Sequence, residues 1–219
     1  MPKPYNTVFL FLLNVISLSI YAQNDMLIKQ LSNRLVVREN FDKNKKLINK
    51  QTFNVGNVIK TNDYLEIDVV TELIDKNEKV IDKYATIYRC KPNESSIMVM
   101  LLPFSKPNSK KTKINSISKN FKELYNLNNL EDVEIQINFD SGLLNFFGSK
   151  SKIKMYDRVL KNNNIENIIS SKLNAKAYAL GVRIKQLNYT VIEKLTLNGL
   201  LTFQKFTEED GSYFTMTYK

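Results

Sequence analysis

Histidine and tryptophan are absent from this 219-residue sequence, and cysteine occurs once. Without an imidazole there is no Ser-His-Asp or Cys-His nucleophile and no His-ligated metal. A lone thiol forms no intrachain disulfide. The six glycines never cluster, which excludes a phosphate-cradling Gly-rich loop; Asp140-Ser141-Gly142 and Asp210-Gly211 read as turns. With only five prolines and no Ser/Gly-rich linker, nothing divides the chain into two domains. What remains is ordinary for one globular domain: 43% hydrophobic, 11% aromatic and 25% charged residues, a balance foreign to disorder, collagen or coiled coil.

The charge is one-sided. Net charge is +10, carried by 27 Lys and only Arg34, Arg38, Arg89, Arg158 and Arg183. Proteins that read nucleic acid rely on arginine, whose planar fork pairs bidentately with guanine edges and phosphates. The lysines here are scattered, often beside asparagine, as in Lys43-Asn44-Lys45-Lys46 and Lys161-Asn162-Asn163-Asn164. They read as a solvated surface bias, against the alternative of a basic patch toward anionic lipid or polysaccharide, and no nucleic-acid partner is expected. The densest run, Lys106 to Lys113, lies among Ser, Pro and Asn and reads as a loop.

Residues 1–22 read as an export signal. Lys3 and the amino terminus supply positive charge, Val8–Ile20 form the apolar run, and Tyr21-Ala22 ends on a small residue. That run is shorter than the roughly 20 residues needed to cross a bilayer, which weighs against a retained anchor, and no later stretch is longer. No cysteine stands beside it to carry a lipoprotein's thioether. The expected product, residues 23–219, is one exported domain in the periplasm or outside the cell, with no stable transmembrane segment after processing. Cys90, inside Ala85-Thr86-Ile87-Tyr88-Arg89-Cys90, reads as a small buried strand residue.

Alternation of period two dominates from residue 35. Leu35, Val37, Glu39, Phe41 is followed by Leu47, Asn49, Gln51, Phe53, Val55, then by Leu65, Ile67, Val69, Thr71, Leu73. Val133, Ile135, Ile137, Phe139 and the stretch Ala177–Leu197 continue it. These read as half-buried strands. Phe41-Asp42-Lys43-Asn44-Lys45-Lys46-Leu47 returns 33 positions on as Ile74-Asp75-Lys76-Asn77-Glu78-Lys79-Val80, and more loosely as Phe206–Tyr213 around Asp210-Gly211. Asp and Asn bond their own main chain and tolerate left-handed backbone, so each copy reads as a hairpin link. A calcium loop is the alternative, but lysines crowd the first two links and repel a divalent cation. Helix is sparse: a turn or two is expected at Met26–Leu31, and the better case is Ser116–Leu127, where Ile117, Phe121, Leu124 and Tyr125 recur at helical spacing behind a Ser cap.

These segments resemble the TapB-like family of exported bacterial β proteins, most of unassigned function. The family's Asp-Lys-Lys-Gly-Lys hairpin is similar to Asp42–Lys46 and to Asp75–Lys79, the latter leading to Ile87-Tyr88-Arg89-Cys90. Its C-terminal hairpin resembles Glu209-Asp210-Gly211 after Gly199-Leu200-Leu201-Thr202. Its Thr-Asp-Arg-Lys-Val element looks like Tyr156-Asp157-Arg158-Val159, and its Cys-Tyr-Lys-Ile strand like Ala177-Tyr178-Ala179-Leu180. The hairpin glycine is replaced by Lys45 or Glu78, the later cysteine by Ala177, and the Trp-Tyr-x-x-Gly approach to the last strands is missing. The resemblance implies an exported β fold and no catalytic residue.

Paired carboxylates are the one remaining route to hydrolysis: Glu66 with Asp68, and Asp132 with Glu134. Beside Leu65/Ile67 and Val133/Ile135 they read as a solvated sheet face. The expectation is therefore a non-enzymatic, mainly β domain, a curved antiparallel meander of eight to ten strands or a partly closed barrel, with one short helical insertion near 116–127. No metal or cofactor is expected. Tyr84, Tyr88, Tyr178, Tyr189 and Phe203 are the candidate binding residues for a lipid or glycan on a concave face. The alternative is a filled core acting on an envelope protein through a strand edge or the basic surface.

Overall fold

The computed structural model describes residues 31–61, 63–90, 111–119, 124–140, 150–179 and 182–219. The expected export segment lies outside these residues, as does the expected Met26–Leu31 turn but for Leu31 itself. Eleven strands follow one another: β1 Leu35–Phe41, β2 Leu47–Lys60, β3 Leu65–Asp75, β4 Val80–Cys90, β5 Lys111–Lys119, β6 Val133–Asp140, β7 Lys150–Asn162, β8 Glu166–Ala179, β9 Val182–Thr196, β10 Leu201–Thr207 and β11 Tyr213–Tyr218. The stretch Ala177–Leu197 thus divides between β8 and β9. Cys90 closes β4; its side chain lies outside the described residues.

Each strand pairs with its neighbours in sequence, and β1 also pairs with β11, so the order of pairing closes on itself. The closure is a belt rather than a full barrel. Among the described residues Val80–Tyr84 of β4, Val159–Asn162 of β7 and Val182–Tyr189 of β9 each pair on one side only. The result is a curved sheet drawn shut around its middle.

Three expectations are corrected. Ser116–Lys119 is the end of β5, antiparallel to Glu134–Ile137 of β6, and Leu124–Tyr125 form a turn, so no helical insertion is present among the described residues. Its apolar spacing is equally that of a strand running into a turn, and pairing with β6 decides between them. Lys111–Lys113, read as loop, belongs to the same strand. The seam between β4 and β5 is parallel, Ala85 opposite Lys111 through Arg89 opposite Asn115. A parallel seam needs a crossover, which is why the connection here spans residues 91–110 when hairpins join most other neighbours.

The inner face follows the alternation in all but one strand. Phe53, Val55, Ile67, Val69, Thr71, Val133, Ile135 and Ile137 are buried as their pattern requires. In β1 the phase is reversed: Val36 lies opposite Tyr218 and Arg38 opposite Met216, both partners buried, while Phe41 stacks on Tyr213 at 4.7 Å. Three apolar residues in a row, Leu35-Val36-Val37, give no phase to read, and Arg38 is tolerated inside because its guanidinium lies 3.9 Å over the Phe214 ring. Tyr88, Phe53, Phe206, Met155, Ile169 and Leu173 are almost wholly buried. Each contributes roughly 1.5–3 kcal/mol of apolar transfer.

The repeated hairpins take one backbone form. The Asp42 amide donates to the Lys46 carbonyl at 3.0 Å, and Asp42 Oδ1 accepts from the amides of Asn44 and Lys46. Asp75 does the same with Lys79, and with the amides of Asn77 and Lys79. Glu208 and Ser212 repeat the closing bond, with Asp210 Oδ1 taking the Ser212 amide. The fourth residue of each link has a left-handed φ: Lys45 at 65°, Glu78 at 63° and Gly211 at 87°. Only in the third link does a glycine occupy the position that favours one.

Candidate functional site

The interior is packed around Tyr88, Phe206 and Phe214 and along much of β6–β9, where Val133, Met155, Leu173 and Val191 are buried, but it opens beside Ser151 and Ala177. Two rungs of inward-facing residues cross these strands. Ile137 lies opposite Ser151, Ser151 opposite Ala177 and Ala177 opposite Lys185. One rung on, Ile153 lies opposite Ala175 and Ala175 opposite Leu187. Three of these positions carry Ser or Ala beside the larger Ile137, Ile153 and Leu187. The missing volume is a cavity of about 240 Å³, lined by Ile137, Ser151, Ile153, Ala175, Lys176, Ala177, Lys185 and Leu187.

Its lining is graded. Ile137 and Ile153 are buried, Ala175 and Leu187 are half-buried against the core, and Lys185 is exposed. Lys185 stands on the part of β9 that pairs on one side only. Its position follows from phase: Lys185, Leu187, Tyr189, Val191, Glu193 and Leu195 share one face of β9. No aspartate or glutamate lines the cavity.

A second polar feature lies eight positions further along that face, about 26 Å of strand. Glu193 is fully buried and accepts from Tyr125 Oη at 2.8 Å and from Gln204 Nε2 at 2.7 Å, both at Oε1. The Tyr218 hydroxyl donates to Gln204 Oε1, completing a chain of buried groups. Burial pushes the Tyr125 and Tyr218 phenols well above their usual range, so both stay protonated as donors. The Arg158 guanidinium, its side chain also fully buried, has Nη2 4.0 Å from Glu193 Oε2 and donates to the carbonyls of Leu124 and Glu131. Arg158 is inside because β7 bulges between Tyr156 and Val159, with Asp157 at φ 54°. Ile153 and Met155 point inward; the extra residue then turns Arg158 inward where the unbroken phase would place Asp157. This cluster ties the 124–131 segment to β7 and β9.

The sequence-chosen aromatics fall in several places. Tyr88 is buried at 1% exposure, and Tyr189 meets Phe206 and Phe214 edge-on, at 6.0 and 5.7 Å. Tyr84 is opposite Thr71 and, with Tyr189, lies within electrostatic reach of Arg38. Burial lowers the Arg38 guanidinium to about 10, and burial beside Glu208 pushes the Tyr189 phenol up to about 12. Phe203 lies on the outer face beside inward Gln204. Tyr178 adjoins the cavity residue Ala177, with Lys150 Nζ 5.8 Å from its ring. None of the five lines the cavity; its small residues were legible only as inward period-two positions of unusual size.

The carboxylate pairs are surface groups. Arg89 Nη2 and Nε bond Glu66 Oε2 at 2.7 and 3.1 Å, Asp68 is exposed, and Asp132 and Glu134 share Lys154 at 3.5 and 3.6 Å. Among the described residues no three Cys, Asp or Glu side chains converge as metal ligands. No described helix is long and apolar enough to cross a membrane.

No family model matches the chain, the TapB-like group included, and no curated protein matches its sequence. Among solved structures it is similar to a Bacteroides fragilis protein described as exported and YmcC-like in fold. That likeness covers 85% of this chain and 94% of the other, at 10% identity and a TM-score of 0.42. It is also similar to a protein from Parabacteroides distasonis described as a lipoprotein, over 86% and 94% of the two chains, at 11% identity and a TM-score of 0.46. At such identity the chemistry of neither transfers.

Proposed function

We propose that this chain is an exported, non-catalytic β protein, working in the periplasm or outside the cell, that holds an apolar or amphipathic ligand in the β6–β9 cavity. The export pattern in residues 1–22 supports the location, and a TapB-like origin is kept as part of this reading. The single observation that carries the function is the void left by Ser151, Ala175 and Ala177 on adjacent inward rungs. A lining with one hydroxyl and no aromatic ring favours a hydrocarbon over a glycan, whose hydroxyls would be buried without partners. At about 240 Å³ it is smaller than the roughly 300–1,000 Å³ of a drug-sized site, which suits one chain rather than two.

The test is displacement of the fluorophore 1-aminoanthracene from the purified protein by decanol, together with native mass spectrometry for a co-purified chain. Ala175→Leu and Ser151→Leu, each filling the void, should abolish probe binding while circular dichroism stays that of the wild type. Unchanged binding in both filled variants would rule the site out.

A second reading rests on a different observation. Among the described residues Val182–Asn188 of β9 pairs only with β8, and Val182 and Ile184 are exposed, at 65% and 67%. Such an edge suits strand addition by an envelope protein. Crosslinking from Ile184 should then trap a partner that Ile184→Pro releases.

A further inference from the structure

The cavity's polar groups are all of one sign or neutral. Resting on the reading above, we infer that its ligand is a single-chain amphiphile with an anionic head. The tail lies against Ile137, Ile153, Ala175 and Leu187, and the head is held at the mouth by Lys185 with Lys176. Lys185 occupies an inward rung, opposite Ala177, yet is exposed, so its ammonium stands where the lining meets water. A lysine at such a position, facing small apolar residues, gives up packing that a leucine would supply. Lys176 borders the same cavity between Ala175 and Ala177, in the alternate phase of β8.

The surroundings repeat the sign. Between Glu166 and Glu193 the sequence has no acid but carries Lys172, Lys176, Arg183 and Lys185. Between Asp140 and Asp157 it has none but carries Lys150, Lys152 and Lys154. Lys152 lies opposite Lys176 and Lys150 opposite Tyr178 on the outer face of the same strands, alternating with the inward rungs of Ser151, Ile153, Ala175 and Ala177. Lys172 is bound to Asp157 and Lys154 to Asp132 and Glu134. Among the described residues Lys152, Lys176 and Lys185 have no acidic partner. An anion at the mouth gives the Lys185 ammonium a counter-charge and a charge-assisted hydrogen bond.

The experiment compares three probes of equal chain length, decanoate, decyl phosphate and decanol, by displacement of 1-aminoanthracene at low salt. The expected result is that at least one anion binds about tenfold more tightly than decanol, the value of one charge-assisted hydrogen bond. Whichever of the two anions is preferred identifies the head as carboxylate or phosphate. Lys185→Gln with Lys176→Gln should remove that preference and leave decanol binding unchanged. Equal binding of all three probes, or a preference that survives the double substitution, overturns the anionic head while the apolar site stands. Loss of all binding in the double variant, with decanol affected as strongly as the anions, also overturns it. Absence of decanol binding in the wild type refutes the underlying site.

Discussion

Arg158 Nη2 stands 4.0 Å from Glu193 Oε2, with both side chains fully withdrawn from water. The separation is at the limit of an ion pair, and the two groups are held by other partners: Arg158 by main-chain carbonyls, Glu193 by Tyr125 and Gln204. Their coupling should be measurable but modest. A double-mutant cycle with Arg158→Met and Glu193→Gln is expected to give about 0.5–3 kcal/mol of favourable interaction, read from urea unfolding at neutral pH. Strict additivity of the two substitutions would show that the groups do not sense each other.

Glu193 also predicts a pH dependence. Burial raises its carboxyl above the usual 4.5; Arg158 and the Gln204 and Tyr125 donors pull it down, and burial wins. A carboxyl raised in the folded state binds more protons folded than unfolded. The stability it contributes is full below the unfolded value and is lost as pH rises through the folded one. The melting temperature of the wild type relative to Glu193→Gln should therefore fall as pH is raised from about 4 upward. A relative stability that climbs with pH would mean that the cation and donors outweigh burial.

The hairpins give an independent stability test. Lys45 and Glu78 hold left-handed backbone that costs a side-chain-bearing residue roughly 1–2 kcal/mol. Glycine removes that strain but enlarges the unfolded ensemble, offsetting part of the gain. Lys45→Gly and Glu78→Gly should each stabilise by up to about 1 kcal/mol in urea unfolding, and Gly211→Ala should destabilise by a similar amount. Opposite signs would contradict the strain account, since no atom lies within 4 Å of a Cβ added at Gly211.

Salt should separate the two components of ligand binding. Lys185 is exposed, so its attraction for an anion is screened, and the screening length falls from about 10 Å at 0.1 M salt to about 3 Å at 1 M. Decanoate affinity should weaken across that range while decanol affinity holds or rises. Equal salt response of the two probes would indicate that charge has no part in binding.

Most of the strands, the repeated hairpins and the absence of imidazole chemistry are legible in the sequence alone, whereas β5 is not. Alternation at Leu65–Leu73 and Val133–Ile137 and the Asp-anchored links are local properties, encoded within a few residues and satisfied by short-range sterics and hydrogen bonds. What it did not reveal depends on register. The phase of β1, the bulge that turns Arg158 inward and the parallel β4–β5 seam are settled by which residue lies opposite which. The cavity belongs to the same class: Ser151, Ala175, Ala177 and Lys185 are ordinary in the chain and become a lined void only when three strands set them on adjacent rungs. Local preference is a sum over neighbours in sequence, whereas an empty volume and a buried charge are properties of neighbours in space.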